Sequence, residues 1–131
     1  MSGGALKIIS EAMTAMGLEY SFMEYTLDAG EPPPGTYFVG EYQELEGEKE
    51  SGEEDSIFIL TGSSRENWGA LEQIKEKIKK YFPATTGRVE GTGDGAVAAV
   101  FYEGSFPVPV EDEELKKIQI NLKVKEWRVE T

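Results

Sequence analysis

The chain has 131 residues and a formal net charge of −12, with 25 Asp and Glu residues against 13 Lys and Arg. It contains no cysteine and no histidine. These absences exclude disulfides, thiolate metal sites, cysteine nucleophiles and the commonest general base. At 39% hydrophobic residues, the composition suits one compact domain with a single core, spanning residues 1–131.

No apolar run approaches the ~18 residues that a membrane-spanning helix needs. The opening residues, MSGGALK, lack the cationic start and the long apolar stretch of a secretory signal. We therefore expect a soluble protein that is intracellular when it is made.

Charge is distributed unevenly along the chain. Residues 1–64 hold 13 acids and 2 cations, whereas residues 65–131 hold 12 acids and 11 cations. A surface with this balance repels phosphate backbones, so we expect no sequence-specific binding of nucleic acid.

The first predicted element is a short amphipathic helix over residues 5–16. Ser2 is a suitable N-cap, and Gly17 is a suitable stop. Apolar residues at spacings of three and four form its predicted buried face: Leu6, Ile9, Met13 and Met16.

An aromatic strand is predicted to follow the helix. Alternation of apolar and polar residues begins at Leu18 and changes phase near Phe22, which predicts a bulge or bend at that point. The aromatic residues of this region alternate as core residues do, so we favour a core role over a platform for stacking bases. The segment DAGEPPPG, residues 28–35, is predicted to be a semi-rigid connector outside the sheet.

A long hairpin is predicted next. TYFVGEY, residues 36–42, and SIFIL, residues 56–60, have the β-branched and aromatic composition of strands. The segment between them is strongly acidic: residues 41–55 carry eight carboxylates against one cation, Lys49. This composition, with two glycines, predicts a mobile loop over about residues 43–55.

The second helix is predicted to begin at a capping box made by Ser63 and Glu66 and to end before Pro83. Its apolar stripe runs from Trp68 to Phe82. Residues 84–95 then form a predicted glycine-rich loop.

Two strands are predicted to close the chain. The first runs from about Ala96 to Tyr102, and the prolines after it suit an edge or an exit loop. In the last strand, every second residue from Ile118 to Val124 is apolar and forms a predicted core face. The residues between them form a solvent-exposed, cationic face. Because this phase would bury Glu126, we predict a bulge near Lys125 and Glu126 that re-aims Trp127.

These elements predict an α+β fold in the order α-β-β-β-α-β-β. The expected sheet is antiparallel, has about five strands and carries both helices on one face. The long acidic hairpin loop extends from it.

We weighed three chemical roles for the glycine-rich and acidic segments. GTGDG, residues 91–95, lacks the G-K-[S/T] ending of a phosphate loop, so a flexible turn is favoured. The acidic loop does not have EF-hand spacing, and nothing near Glu53 and Asp55 predicts a pocket that would separate their pKa values. We therefore expect no enzyme activity, no cofactor and no specific metal site.

The stretch LEYSFMEYTLDAGEPPPGTYFVGEYQE, with the closing strand IQINLKVKEW, resembles tail-terminator and tail-completion proteins of long-tailed bacteriophages and prophages. In that family a helix leads into an aromatic strand, a proline-bearing link, a hairpin with a polar loop, a helix and closing strands. The resemblance spans most of the chain and rests on the order of the elements and their residue composition. The acidic loop and the Pro-Pro-Pro run depart from the family pattern.

The resemblance implies a virion assembly protein without catalytic residues. Such subunits form rings, commonly sixfold, that cap the tail tube or join the tail to the head connector. The implied partners are other copies of this chain, tail-tube proteins and neck or connector proteins; a monomer in solution is left open. The implied location is the host cytoplasm during assembly and then the tail or neck of the particle.

Ring closure requires two different patches on each subunit. The acidic loop and the cationic face of the last strand are the predicted pair, with Trp127 as an interface anchor or, alternatively, as a cover for the end of the core. The predicted protein-interaction residues are Tyr42, Glu44, Glu46, Glu48, Glu50, Glu53, Glu54, Asp55, Lys117, Lys123, Lys125 and Trp127. The competing interpretation is a small acidic binding or inhibitor protein whose carboxylates mimic nucleic-acid phosphates.

Overall fold

The computed structural model describes residues 1–24, 35–45, 53–93, 95–112 and 114–128. Within these ranges the chain forms two helices and six strands. In chain order they are α1 (Gly3–Ala15), β1 (Tyr20–Phe22), β2 (Thr36–Glu44), β3 (Glu54–Ser64), α2 (Trp68–Tyr81), β4 (Arg88–Gly91), β5 (Ala96–Val108) and β6 (Lys116–Arg128).

The six strands form one sheet in the order β1-β2-β3-β6-β5-β4. β1 runs parallel to β2, and every other neighbouring pair is antiparallel. The predicted α+β class is therefore confirmed. The sheet has one strand more than expected and is mixed, and the order of elements is α-β-β-β-α-β-β-β.

A single buried cluster joins both helices to one face of the sheet. Its members alternate along the strands, as the period of two requires. The largest fully buried side chains are Phe38, Phe58, Phe82, Ile9, Met13, Leu60, Leu71, Ile78, Ile118, Ile120, Leu122 and Val100. We call the opposite side of the sheet the outer face; neither helix packs on it.

Helix α1 begins as its sequence predicts. The Ser2 hydroxyl accepts a hydrogen bond from the backbone N–H of Ala5 at 3.1 Å, which satisfies one of the free donors of the first turn. The buried face is centred on Ile9 and Met13, whereas Leu6 is only partly buried.

The predicted capping box of α2 is wrong. Strand β3 continues through Ser63 and Ser64 because it pairs with β6 along its whole length and with β2 from Ser56 to Ser64. The N-cap is Asn67 instead, whose side-chain oxygen accepts from the N–H of Ala70 at 2.9 Å. The Ser64 hydroxyl accepts from the N–H of Glu66 in the turn before the helix.

Strand β1 is shorter than the alternation predicts. It ends at Phe22, and Met23 adopts a left-handed backbone with φ 72°, which turns the chain out of the strand. The predicted continuation over residues 25–27 lies outside the described residues, as does most of the connector, residues 28–34.

The predicted glycine-rich loop contains a strand that sequence reasoning missed. Strand β4 pairs with β5 from Val97 to Val100. β5 itself extends to Val108, with an irregularity between Tyr102 and Gly104. Pro107 is tolerated there because, among the described residues, this part of β5 pairs with β6 alone.

The bulge predicted near Lys125 and Glu126 is also wrong. β6 keeps an unbroken register with β3 from Lys116 to Glu126, so Glu126 faces the core and is only 7% exposed. Its carboxylate accepts hydrogen bonds from Ser2, at 3.2 Å from the backbone N–H and 2.5 Å from the hydroxyl. The start of α1 thus satisfies the buried carboxyl group by hydrogen bonding, and no bulge is needed to expose it.

Candidate protein-interaction surfaces

The predicted interaction residues lie on both faces of the sheet. Tyr42 and Glu44 share the phase of the buried Phe38 on β2 and therefore face the side of the helices. The β6 residues Lys117, Lys123, Lys125 and Trp127 have the opposite phase from Leu122 and lie on the outer face. Three predicted residues, Glu46, Glu48 and Glu50, lie outside the described residues.

The base of the acidic hairpin contacts the cationic strand within one chain. The carboxylate of Glu53 lies 3.7 Å from the Lys125 ammonium, and Asp55 stands directly opposite Lys125 in the register. The sequence predicted the acidic loop and the cationic face as separate patches. The structure joins them at Lys125, which leaves the rest of the cationic strand for other contacts.

Lys117, Lys123 and Lys125 form a cationic row along the outer side of β6. Its ends are eight residue steps apart along the extended strand, which corresponds to about 27 Å. Lys123 stands between Ile57 of β3 and Phe101 of β5, so its charge emerges from an apolar surrounding. Within the described ranges, no carboxylate lies within 4.0 Å of Lys117 or Lys123.

The outer face near the cationic row is partly apolar. Ile57, Ile59 and Phe101 are only partly buried there. An open depression of ≈ 390 Å³ adjoins the row and is lined by Ala84, Phe101, Tyr102, Glu103, Lys123 and Lys125, so that it holds two cations and one carboxylate. Such a face offers apolar contact together with positive charge, the combination that suits an acidic protein partner.

Trp127 lies on the outer face, half-buried and opposite Val97 of β5. Because β6 has no bulge, its indole is on the other side of the sheet from the buried cluster that holds the helices. Its role as an interface anchor stays a prediction.

A second surface lies at the corner where β1 and β2 end. We call Phe22, Met23 and Tyr42 the apolar corner. The rings of Phe22 and Tyr42 stack with their centroids 6.0 Å apart and their planes at 12°. Phe22 and Tyr42 are each 38% exposed, and Met23 is 63% exposed. The sequence identified Tyr42 but assigned Phe22 to the core, because the alternation did not reveal that β1 is a short edge strand.

Gly40 makes the packing beneath this corner possible. A Cβ atom at this position would lie 2.4 Å from Cζ of Phe58 and 2.8 Å from the Tyr20 hydroxyl. The Phe58 ring in turn stacks against Phe22, with centroids 6.4 Å apart. The absent side chain therefore lets three aromatic rings gather over β2.

Few titratable groups in the described part of the chain are clearly perturbed. Burial raises the pKa of Tyr20 to about 12. The Lys75 ammonium hydrogen-bonds Glu72 on α2 and lowers the pKa of that carboxyl. A hydrogen bond from the backbone N–H of Glu114 lowers the pKa of Asp112, and a smaller contribution comes from the hydrogen bond with the Arg65 side chain. These shifts follow from local packing and pairing, and no three carboxylates in the described ranges converge as metal ligands would.

Neither described helix has both the length and the apolar character needed to cross a membrane.

Comparison with protein-family models finds no match, and comparison with curated proteins also finds none. Several solved structures are similar to this chain; one of them matches over 93% of this chain and 89% of its own length, with a TM-score of 0.66 and 14% sequence identity. At this identity the likeness supports the fold alone.

Proposed function

We propose that this protein is a structural subunit of a long-tailed bacteriophage or prophage particle. In this role it forms a ring that caps the tail tube or joins the tail to the head connector. It acts by binding other proteins and needs no catalytic residue and no cofactor. It assembles in the host cytoplasm and remains in the tail or neck.

The observation that carries the proposal is the outer face of the sheet, which neither helix covers and along which the cationic row runs. Lys123 emerges there between Ile57 and Phe101 with no described carboxylate within 4.0 Å. The acidic hairpin, whose base meets the row at Lys125, supplies the surface of opposite charge. Two unlike patches are what a closed ring of identical subunits requires.

The net charge of −12 suits a protein close to passing DNA. If the acidic loop lines the channel, like-charge repulsion keeps the polyanion from adhering. If it faces the connector, it pairs with a basic partner ring.

The competing role, a mimic of nucleic-acid phosphates, needs free carboxylates at regular spacing on a rigid face. In the described part of the hairpin, Glu53 is paired with Lys125 and Glu44 with the Met1 amino group at 2.5 Å. These local pairs leave fewer free carboxylates at the base of the hairpin than such a mimic needs.

The test is removal of acidic charge from the loop in the parent phage or prophage. A triple variant, Glu46→Gln with Glu48→Gln and Glu50→Gln, keeps the length of the loop and removes three carboxylates. We expect fewer tails joined to heads in electron micrographs of lysates, and a stronger defect when residues 46–54 are deleted.

A matched control replaces three acids away from both the hairpin and the cationic row, Glu11, Glu76 and Glu111, by Gln. It should join heads and tails at the normal level. Complete, normally joined particles from the deletion variant would exclude the loop as an assembly element, and normal particles without this protein would refute the proposed function.

A further inference from the structure

We propose that the protein associates head to tail with a second copy of itself, with the apolar corner of one subunit on the Lys123 region of the next. The Lys123 region consists of Lys123 with its two cross-strand neighbours, Ile57 and Phe101. This inference rests on the proposed ring function and assigns two surfaces to its subunit contact.

The apolar corner has the character of an unoccupied contact surface. Its three side chains are large and apolar, and Met23 is the most exposed of them. β1 is the first strand of the sheet, so in the described structure only β2 pairs with it. A cluster of exposed apolar side chains at a sheet edge is typical of a site where another chain docks.

The charges around the corner specify what kind of partner fits. Glu24 directly follows Met23 and is exposed, and Glu44 lies two residues beyond Tyr42 on the same side of β2. Within the described ranges the charge compensating Glu44 is the Met1 amino group. An apolar surface with an acidic rim favours a partner surface that is apolar and positively charged.

The Lys123 region has that chemistry. Lys123 carries its charge between the partly buried Ile57 and Phe101, and the depression of ≈ 390 Å³ lies beside it. An unbranched side chain such as that of Met23 suits a shallow apolar site of this kind. The Lys123 ammonium would then face the acidic rim of the neighbouring corner.

The positions of the two surfaces set the symmetry of the contact. The corner is at the β1 edge on the side of the helices, whereas the Lys123 region is on β6, the fourth strand, on the outer face. Two corners would oppose each other through their acidic rims. The favoured contact is therefore between unlike surfaces, which is heterologous and propagates around a ring.

The test exchanges the charges across the proposed contact. Met23→Lys places a cation in the corner opposite Lys123, and Lys123→Glu places a carboxylate opposite the acidic rim. We expect each variant to self-associate at least tenfold more weakly than the wild type in sedimentation velocity, across a concentration series. The double variant, Met23→Lys with Lys123→Glu, should regain most of the lost affinity, because its new charges attract each other.

Two controls separate the contact from general effects. Met23→Gln keeps the unbranched shape without a charge and should weaken association less than Met23→Lys does. Lys80→Glu makes the same charge change as Lys123→Glu on the exposed side of α2 and should leave association unchanged. Circular dichroism confirms that every variant is folded, and loss through misfolding would not be rescued by the double variant.

Wild-type behaviour and rescue together decide the outcome. A wild-type chain that stays monomeric at the highest attainable concentration would overturn the inference, as would self-association that neither single variant weakens or that the double variant fails to restore. The proposed function is judged separately in particles: if both single variants join heads and tails normally while absence of the protein abolishes joining, the function stands and this contact is wrong.

Discussion

At the scale of single residues, Glu126 shows how one buried carboxylate connects a helix to the sheet. It is the last core-facing position of the register between β6 and β3, and it receives both the backbone N–H and the hydroxyl of Ser2. The same Ser2 hydroxyl accepts from Ala5 inside α1. The start of α1 and the end of β6 therefore depend on one small network.

Replacing Glu126 by Ala should lower the free energy of unfolding by about 1–3 kcal/mol, because the donors of Ser2 would lose their partner in a part-buried site. Urea denaturation measures the change. Glu54→Ala is the matched control, since Glu54 stands directly across from Glu126 in the register but is exposed. A similar loss in both variants would show that the network contributes nothing special.

Gly40→Ala should destabilise the fold by about 1–3 kcal/mol through overpacking, because the new methyl group would lie 2.4 Å from the Phe58 ring. Thermal unfolding followed by near-ultraviolet circular dichroism also reports the disturbed aromatic packing. Gly104→Ala is the control in another strand, because a Cβ there has no neighbour within 4 Å. An unchanged melting temperature for Gly40→Ala would show that the rings can move apart freely.

Tyr20 should make the fold sensitive to strongly alkaline pH. Burial raises its pKa from 10.0 in the unfolded chain to about 12 in the folded one. Below pH 10 the phenol is neutral in both states and has no effect; between pH 10 and 12 it ionises more readily in the unfolded chain, so stability falls as pH rises. Tyr20→Phe should lose less stability than the wild type between pH 9 and pH 11 in urea titrations. Equal losses of stability in the two proteins would show that ionisation of Tyr20 does not cause the alkaline destabilisation.

At the scale of elements, the two helix starts show what the sequence can and cannot predict. Ser2 was identified because nothing competes for its hydroxyl before the apolar stripe begins. Ser63 and Glu66 have the same local pattern, but pairing of β3 with two neighbouring strands holds Ser63 in the sheet, so tertiary contacts override the local signal. Strand β4 could not be predicted for a related reason: its four residues lie among glycines and form a strand only because β5 pairs with them.

The candidate surfaces were predictable to a similar extent. The cationic row follows directly from the alternation along β6, and Tyr42 from its position at the start of the acidic loop. Phe22 and Met23 could not be placed at the surface, because their exposure depends on where β1 ends. The burial of Glu126 could not be predicted, because the hydrogen-bond donors that make it possible belong to Ser2, 124 residues earlier in the chain.

Asn67→Ala should cost about 1 kcal/mol in unfolding free energy, because the N–H of Ala70 would lose its acceptor at the start of α2. Chemical denaturation measures the change. Glu66→Gln should stay within about 0.5 kcal/mol of the wild type, since Glu66 precedes the cap and is exposed. A larger loss of stability for Glu66→Gln than for Asn67→Ala would instead support the capping box that the sequence predicts.

At the scale of the whole molecule, the charge of −12 and the contact proposed at Lys123 should respond to salt in opposite ways. Copies of the chain repel one another through their net charge, and salt screens this repulsion and favours association. The attraction between Lys123 of one subunit and the acidic rim of the next is screened as well, which disfavours association. The absolute affinity therefore depends both on net-charge repulsion and on the attraction at Lys123. Comparing the wild type with Lys123→Glu isolates the attraction at Lys123.

The ratio of association constants between the wild type and Lys123→Glu should consequently shrink as salt rises. At low ionic strength the variant replaces attraction by repulsion at the contact; near 1 M salt the screening length falls to about 3 Å and most of that difference disappears. Sedimentation velocity of both proteins over a salt series measures the ratio. A ratio that stays constant would mean that Lys123 contributes through packing or fold rather than through its charge.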